Sequence, residues 1–206
     1  MYKEILTEKQ IKLLPLIKLF SKEYYLVGGT AIALQLGHRH SVDFDLFSSN
    51  KIGRRSIENR IKSNDYPINE VIYEDVDELT MIVNSVKMTF YNYPFKIIPK
   101  LFFEGIIKMP TLLDLAAMKA YTLGRRAKWK DYVDLYFILK DHFALGKISE
   151  RAREVFGNLF NEKLFREQLC YFEDINYSER IEYEHKHEID EEAIKRSLSQ
   201  IAVSPF

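Results

Sequence analysis

Residues 26–47 read LVGGTAIALQLGHRHSVDFDLF, and this stretch decides how the rest of the chain is read. Tyr24 to Val27 is a short apolar run stopped by Gly28 and Gly29, so a strand should end where the backbone becomes permissive. Thr30 to Leu36 then reads as a helix closed by Gly37. Val42 to Leu46 alternates strictly, which predicts a second strand with Val42, Phe44 and Leu46 facing the core. Asp43 and Asp45 fall on its other face, with Cα atoms roughly 6.5 Å apart. A Gly-Gly pair between strand and helix lets a ligand approach the backbone closely. It also leaves the first N–H groups of the helix for a phosphate, with the Thr30 hydroxyl as a further donor. Two carboxylates this close repel unless a cation joins them, and Mg²⁺ favours carboxylates combined with substrate phosphates. The pattern therefore points to metal-assisted phosphoryl or nucleotidyl transfer.

Outward from this stretch, Thr7 with Gln10 reads as a capping box opening a helix through Ile11, Leu14, Ile17 and Phe20. Residues 54–63 look helical, with Ile57 and Ile61 on one face. Strands are expected at Ile68–Tyr73, Leu79–Val83 and Val86–Tyr91, with Asn84-Ser85 as a hairpin turn, and one more at Leu101–Lys108. Thr111 and Asp114 then cap a helix to Leu123, and a second continues over Tyr132–Lys140. Helices and loops follow, ending in an amphipathic helix from Asp190 to about Ala202. The expected class is α+β: a mixed α/β core over residues 1–110, then a helical region over 111–206.

Composition narrows the function classes. Of 206 residues, 47% are hydrophobic and 14% aromatic, which excludes a disordered chain. No apolar run reaches the roughly 18–20 residues of a membrane span. MYKEILTEKQ carries acids and no apolar core, unlike a secretory signal. Cys170 is the only cysteine; it excludes an internal disulfide, fits a reducing cytoplasm, and is expected to face the core. Thirty basic residues balance thirty acidic ones, yet the balance is not local. Lys119, Arg125, Arg126, Lys128 and Lys130 follow one another without an acid. Asp65 to Glu78 holds six acids and no base, and Glu162 to Glu192 holds eleven acids against four bases. A zero sum thus leaves room for a phosphate-rich substrate at the basic stretch.

Strand, Gly-Gly-Thr, helix, and then His-Arg-x-Ser-x-Asp-x-Asp-x-Phe resemble the DNA polymerase β-like nucleotidyltransferases, and more closely the AbiEii/AbiGii-type nucleotidyltransferase toxins. Asp114-Leu-Ala-Ala-Met-Lys119, Arg126 and Lys130-Asp131-x-x-Asp134-Leu135 extend the resemblance, which covers about residues 22–140. It implies a polymerase β-like core with a small mixed sheet, completed by residues 111–140. It further implies that Gly28, Gly29 and Thr30 hold nucleotide phosphates and that Asp43 and Asp45 bind the metal, Mg²⁺ or Mn²⁺. Lys119 would contact the triphosphate or neutralise the leaving group. Asp131 becomes a general base or additional acidic group, with Asp134 in support. Arg39 and Ser41 would order the loop before the aspartates, and Arg126 and Lys130 would lie near the incoming substrate. Many relatives in the superfamily carry a third metal-binding carboxylate on a later strand; Val86–Tyr91 contains none.

The implied activity moves an NMP from an NTP to an acceptor, RNA or tRNA among the candidates, in a toxin–antitoxin or phage-defence setting with an antitoxin partner. The alternatives are an antibiotic- or protein-modifying nucleotidyltransferase and a catalytically silent nucleotide-binding module. Other features rank lower. His185-x-His187 sits in an acidic, solvated run. His38 and His40 belong to the turn around Arg39. Trp129 either packs at a helix start or stacks on a base. The chain has neither a Walker A lysine motif nor G-x-G-x-x-G, which removes the main support for P-loop and dinucleotide-binding readings.

Overall fold

Thr7 starts the first helix, α1 (Glu8–Phe20), through a complete capping box: its side chain accepts from the Gln10 N–H, and the Gln10 side chain accepts from the Thr7 N–H. The computed structural model describes residues 1–184 and 187–204. They fall into two compact units, Met1–Gln35 with His40–Thr111, and Leu36–Arg39 with Leu112–Phe206.

The first unit carries β1 (Tyr25–Val27), α2 (Gly28–Leu36), β2 (Phe44–Ser48), α3 (Arg54–Lys62), β3 (Ile68–Glu74), β4 (Glu78–Val83), β5 (Val86–Asn92), β6 (Leu101–Phe103) and β7 (Ile107–Met109). Its main sheet runs β1-β2-β5-β4-β3, with β2 and β5 parallel and the other pairs antiparallel. Leu26, Phe44, Leu46, Leu79, Met81, Met88 and Phe90 form its buried face. Phe20 of α1 packs there, its ring edge-on to Phe90 with centroids 4.9 Å apart. Asn84 and Ser85 both take positive φ, 47° and 65°, as a tight hairpin turn requires. Ile57 and Ile61 are the buried residues of α3.

Three expectations for this unit change. The helix after the glycines begins at Gly28, with φ +70°, rather than at Thr30, so the Gly-Gly pair is its first turn. Val42 does not face the core; it is 58% exposed. The pairing of β2 with β5 opens at Phe44 opposite Met88, so Val42 precedes the ladder and alternation has no sheet to act on. Residues 101–108 are not one strand. β6 and β7 form a hairpin turning at Glu104 and Gly105, whose φ values of 47° and 65° fold the segment back on itself.

The second unit carries α4 (Leu112–Leu123), α5 (Trp129–Asp141), α6 (Leu145–Phe156), α7 (Glu162–Leu169) and α8 (Glu191–Ala202). Asn161 and Asp190 cap α7 and α8 through side-chain oxygens, and α8 is the amphipathic helix expected from Asp190 to about Ala202. Asp114 is buried and pairs with Arg151 Nε of α6 at 2.7 Å. α5 is buried from Asp131 to Leu139 almost all round, the mark of a central helix. Cys170 is exposed, not core-facing: Phe165 and Leu169 supply the buried face of α7, and Cys170 follows its last turn. Trp129 is buried against Tyr132 and Tyr177 under the Lys195 ammonium, which makes it a packing anchor. His185 lies outside the described residues. No helix among the described residues is long and apolar enough to cross a membrane.

Candidate active site

In the sheet unit, Gly28, Thr30, Ser41, Asp43 and Asp45 meet at the junction of β1, α2 and β2. Val27 pairs with Asp45, so the strand that ends in the glycines lies directly beside the second aspartate. A Cβ on Gly28 would sit 2.0 Å from Asp45 Oδ2, so a side chain there would collide with the carboxylate. The close approach that a Gly-Gly pair permits is thus used by the chain's own aspartate. Thr30 is buried, and its hydroxyl donates to the carbonyl of Asp43 and shares a 2.9 Å hydrogen bond with the Ser41 hydroxyl. The donor that the sequence offers to a phosphate instead fastens the helix start to the aspartate-bearing segment. Gly29 is half-buried in the same first turn.

Asp43 and Asp45 are half-buried, while the intervening Phe44 is buried on the opposite face. Among the described residues no three His, Cys, Asp or Glu side chains gather as a metal cage. Two carboxylates on one face fit a Mg²⁺ ion that keeps several waters and takes its remaining ligands from substrate phosphates. Across the sheet from Asp45 stands Thr89 of β5, and Lys87, two residues earlier, places its Nζ 2.7 Å from Asp43 Oδ2. The strand that lacks a third carboxylate carries a lysine toward the first one.

In the helical unit, Lys119, Asp131, Asp134 and Arg39 form one buried charge network. Lys119 Nζ pairs with Asp131 and lies 2.9 Å from Asp134 Oδ2. Arg39 grips Asp134 with a fork, Nε to Oδ1 at 2.7 Å and Nη2 to Oδ2 at 3.0 Å. His38 Nε2 lies 2.9 Å from Asp134 Oδ1, and Arg126 Nε lies 3.0 Å from Asp131 Oδ2. Burial pushes the Asp134 carboxyl up, but the cations of Arg39 and Lys119 win and hold it well below the usual carboxylate range. Asp131 is lowered in the same way by Lys119 and Arg126 against its burial. Burial alone would favour neutral Lys119, yet the two aspartates raise its pKa and keep it charged. Burial lowers His38 despite its bond to Asp134, so that imidazole is neutral near pH 7. An aspartate held ionised by two cations is a poor proton acceptor, which suits Asp131 to holding charge in place.

Lys130 and Lys128 do not stand as an open basic stretch. Both pair with Glu179, Lys128 at 2.6 Å, and these partners draw the Glu179 pKa down to about 2 against its burial. The segment carrying Glu179 is stitched on by backbone bonds, Trp129 N–H to the Asn176 carbonyl and Asn176 N–H to that of Ala127. Arg125 covers the Tyr121 ring at 3.5 Å. Sequence reasoning missed Lys87 and Glu179 and left His38 to the turn around Arg39; their partners are 44 to 96 residues away. The only available signals were the His-Arg-His run and the acid excess after Glu162.

With this geometry in hand, the likenesses to known proteins can be placed on it. Residues 17–99 match the family described as nucleotidyl transferase AbiEii toxin, type IV toxin–antitoxin system; the match contains Gly28 to Asp45 and Lys87 and stops short of Lys119. The uncharacterized protein aq_aa25 of Aquifex aeolicus (strain VF5) is 28% identical over 185 residues, 86% of this chain and 87% of that one. Among solved structures, MenT4, the nucleotidyltransferase toxin Rv2826c of Mycobacterium tuberculosis H37Rv, superposes with a TM-score of 0.62 at 14% identity, covering 95% of this chain and 82% of its own. JHP933 of Helicobacter pylori gives 0.56 at 18% identity over 96% and 91%. The Megavirus polyadenylate synthase gives 0.51 at 16% identity over 66% of this chain and 32% of its own. These neighbours share the fold, and the motif-bearing residues 17–99 carry the likeness to the AbiEii nucleotidyltransferase toxins.

Proposed function

We propose that the protein is a divalent-metal-dependent enzyme that transfers an NMP from an NTP to a hydroxyl of RNA, with tRNA the first acceptor to try. The observation that carries this reading is the placing of Asp45 on β2 and of Asp43 just before it, both half-buried, beside a helix whose first residue must be glycine. The acceptor hydroxyl loses its proton to solvent as its oxygen forms a bond to the α-phosphorus, the bond from that phosphorus to the bridging oxygen breaks, and pyrophosphate leaves. Asp43 and Asp45 would hold the metal, Mg²⁺ or Mn²⁺, which when bound orients the triphosphate and offsets its charge. The first turn of α2, with Gly28 and Gly29, offers backbone N–H groups to phosphate oxygens. The resemblance gives Lys119 the role of contacting a triphosphate, and within the helical unit Arg39, Asp131 and Asp134 hold its ammonium charged and in one position. Arg126, half-exposed and anchored on Asp131, and Lys130 are the further cations offered to substrate. The match of residues 17–99 to the AbiEii toxin family supports a toxin role with a cognate antitoxin protein.

Purified protein incubated with each labelled NTP, Mg²⁺ and total RNA tests this reading. Label should enter RNA, and Asp43→Ala should abolish the transfer. Label on a small molecule or a protein instead would move the acceptor to those classes. Tight NTP binding without turnover in Mg²⁺ or Mn²⁺ would leave a nucleotide-binding module, and no NTP bound or consumed would end the enzyme reading.

A further inference from the structure

Lys87 lies on β5, opposite Ile82 of β4 and one residue before the pairing with β2 begins. β2 and β5 run parallel from Phe44 opposite Met88, and just ahead of that pairing the side chains of Asp43 and Lys87 meet. The Lys87 ammonium meets Asp43 Oδ2 at 2.7 Å, with the lysine side chain 35% exposed and the aspartate 17%. Next along β5, Thr89 points the same way and shares a 3.1 Å hydrogen bond with Thr80 of β4, which itself donates to Glu78. The row beside Asp45 thus runs from the Lys87 ammonium through the hydroxyls of Thr89 and Thr80 to the Glu78 carboxylate.

Two-ion sites hold their metals about 3.5–4 Å apart and rely on carboxylates that offer both oxygens to the pair. Here one oxygen of Asp43 is engaged by a positive charge that belongs to the chain. A second divalent ion at that oxygen would have to displace the ammonium or sit against it, and like charges at a few ångströms repel strongly in a partly buried site. We propose that Lys87 is the resident cation of this site: it stands where a second ion would bind, so the enzyme takes one divalent ion, held by Asp45 and the other oxygen of Asp43. Lys87 then acts as a positioning residue, fixing the orientation of the Asp43 carboxylate and setting the metal count. This inference rests on the assignment of Asp43 and Asp45 as metal ligands made above.

The test is an electron paramagnetic resonance titration of the intact chain with Mn²⁺ alone, read as free ion remaining. Wild type should bind one Mn²⁺ per chain. Lys87→Met, at a half-exposed position, should keep the wild-type melting temperature and either bind a second Mn²⁺ or hold the first at least about tenfold more tightly, a change of ~1.4 kcal/mol. Lys87→Arg should restore the wild-type count. Two ions in wild type would overturn the inference, and so would wild-type Mn²⁺ binding by Lys87→Met while Asp45→Asn abolishes it. If Asp43→Asn and Asp45→Asn both bind Mn²⁺ as wild type does, the metal assignment itself is wrong and the inference goes with it.

Discussion

Gly28 and Asp45 exclude each other's side chains: a methyl group on the glycine would overlap the aspartate's Oδ2 at 2.0 Å. Gly28 also takes φ +70°, a conformation that costs an L-residue roughly 1–2 kcal/mol. Gly28→Ala should therefore lose about 2 kcal/mol or more, lowering the melting temperature by ~4–8 °C. It should also turn the Asp45 carboxylate away and remove nearly all nucleotidyl transfer. Thermal melting and a labelled-NTP assay on the same preparation check both halves of this statement.

Asp134 answers two buried cations and an imidazole, so removing its charge should be costly. Asp134→Asn leaves Arg39 and Lys119 short of a partner in a water-poor environment, and breaking such a pair typically costs about 3–5 kcal/mol. Urea unfolding should show the loss as a lower midpoint at unchanged slope. Arg39→Lys should recover little, because an ammonium cannot reproduce the two-pronged contact with both carboxylate oxygens.

The neutral His38 makes stability depend on pH in a stated direction. Its folded pKa lies below the 6.5 of a free imidazole, so between the two values the unfolded chain binds the extra proton. Its contribution is therefore intact above about pH 6.5 and is lost as the pH falls toward the folded pKa. Asp131 and Asp134 act later: their folded pKa values lie below 3.8, so their contribution is present above that pH and drains away beneath it. Melting curves from pH 8 to 5 should fall in wild type below about 6.5 and be flatter in His38→Gln.

Much of the sheet unit was legible because its signals are local. Gly28-Gly29 marks a strand end, Phe44, Asp45 and Leu46 mark a one-sided strand, and Asn84-Ser85 marks a tight turn, each readable within five residues. Val42 shows where such reading stops: alternation predicts a face only while a neighbouring strand is paired, and that pairing begins two residues later. Cys170 shows the same at a helix end, where an apolar-looking residue falls just past the turn that would bury it. The partners of Lys87 and Lys130 were illegible for another reason. Which acid reaches a given lysine depends on strand register and on a chain return of some fifty residues, and neither leaves a mark in the motif itself.

Glu179 offers a separate experiment on the basic segment. Its side chain is 39% exposed, and such pairs contribute at most about 1 kcal/mol, so Glu179→Gln should melt within roughly 3 °C of wild type. Lys128 and Lys130 would each lose this carboxylate partner, and polyanions should then bind more strongly. On heparin, the variant should elute at higher salt than wild type, and binding to bulk tRNA should show a steeper dependence on salt. Equal elution would mean that the two lysines are turned away from solvent anions even when Glu179 is neutral.

Residues 36–39 belong with the helices although the chain on both sides of them belongs with the sheet. The polypeptide consequently crosses between the units three times, after Gln35, after Arg39 and after Thr111. A chain cut short near residue 111 would keep every strand together with Asp43 and Asp45, yet it would strand Arg39 and His38 without the α5 carboxylate that answers them. The sheet unit is therefore not a detachable module.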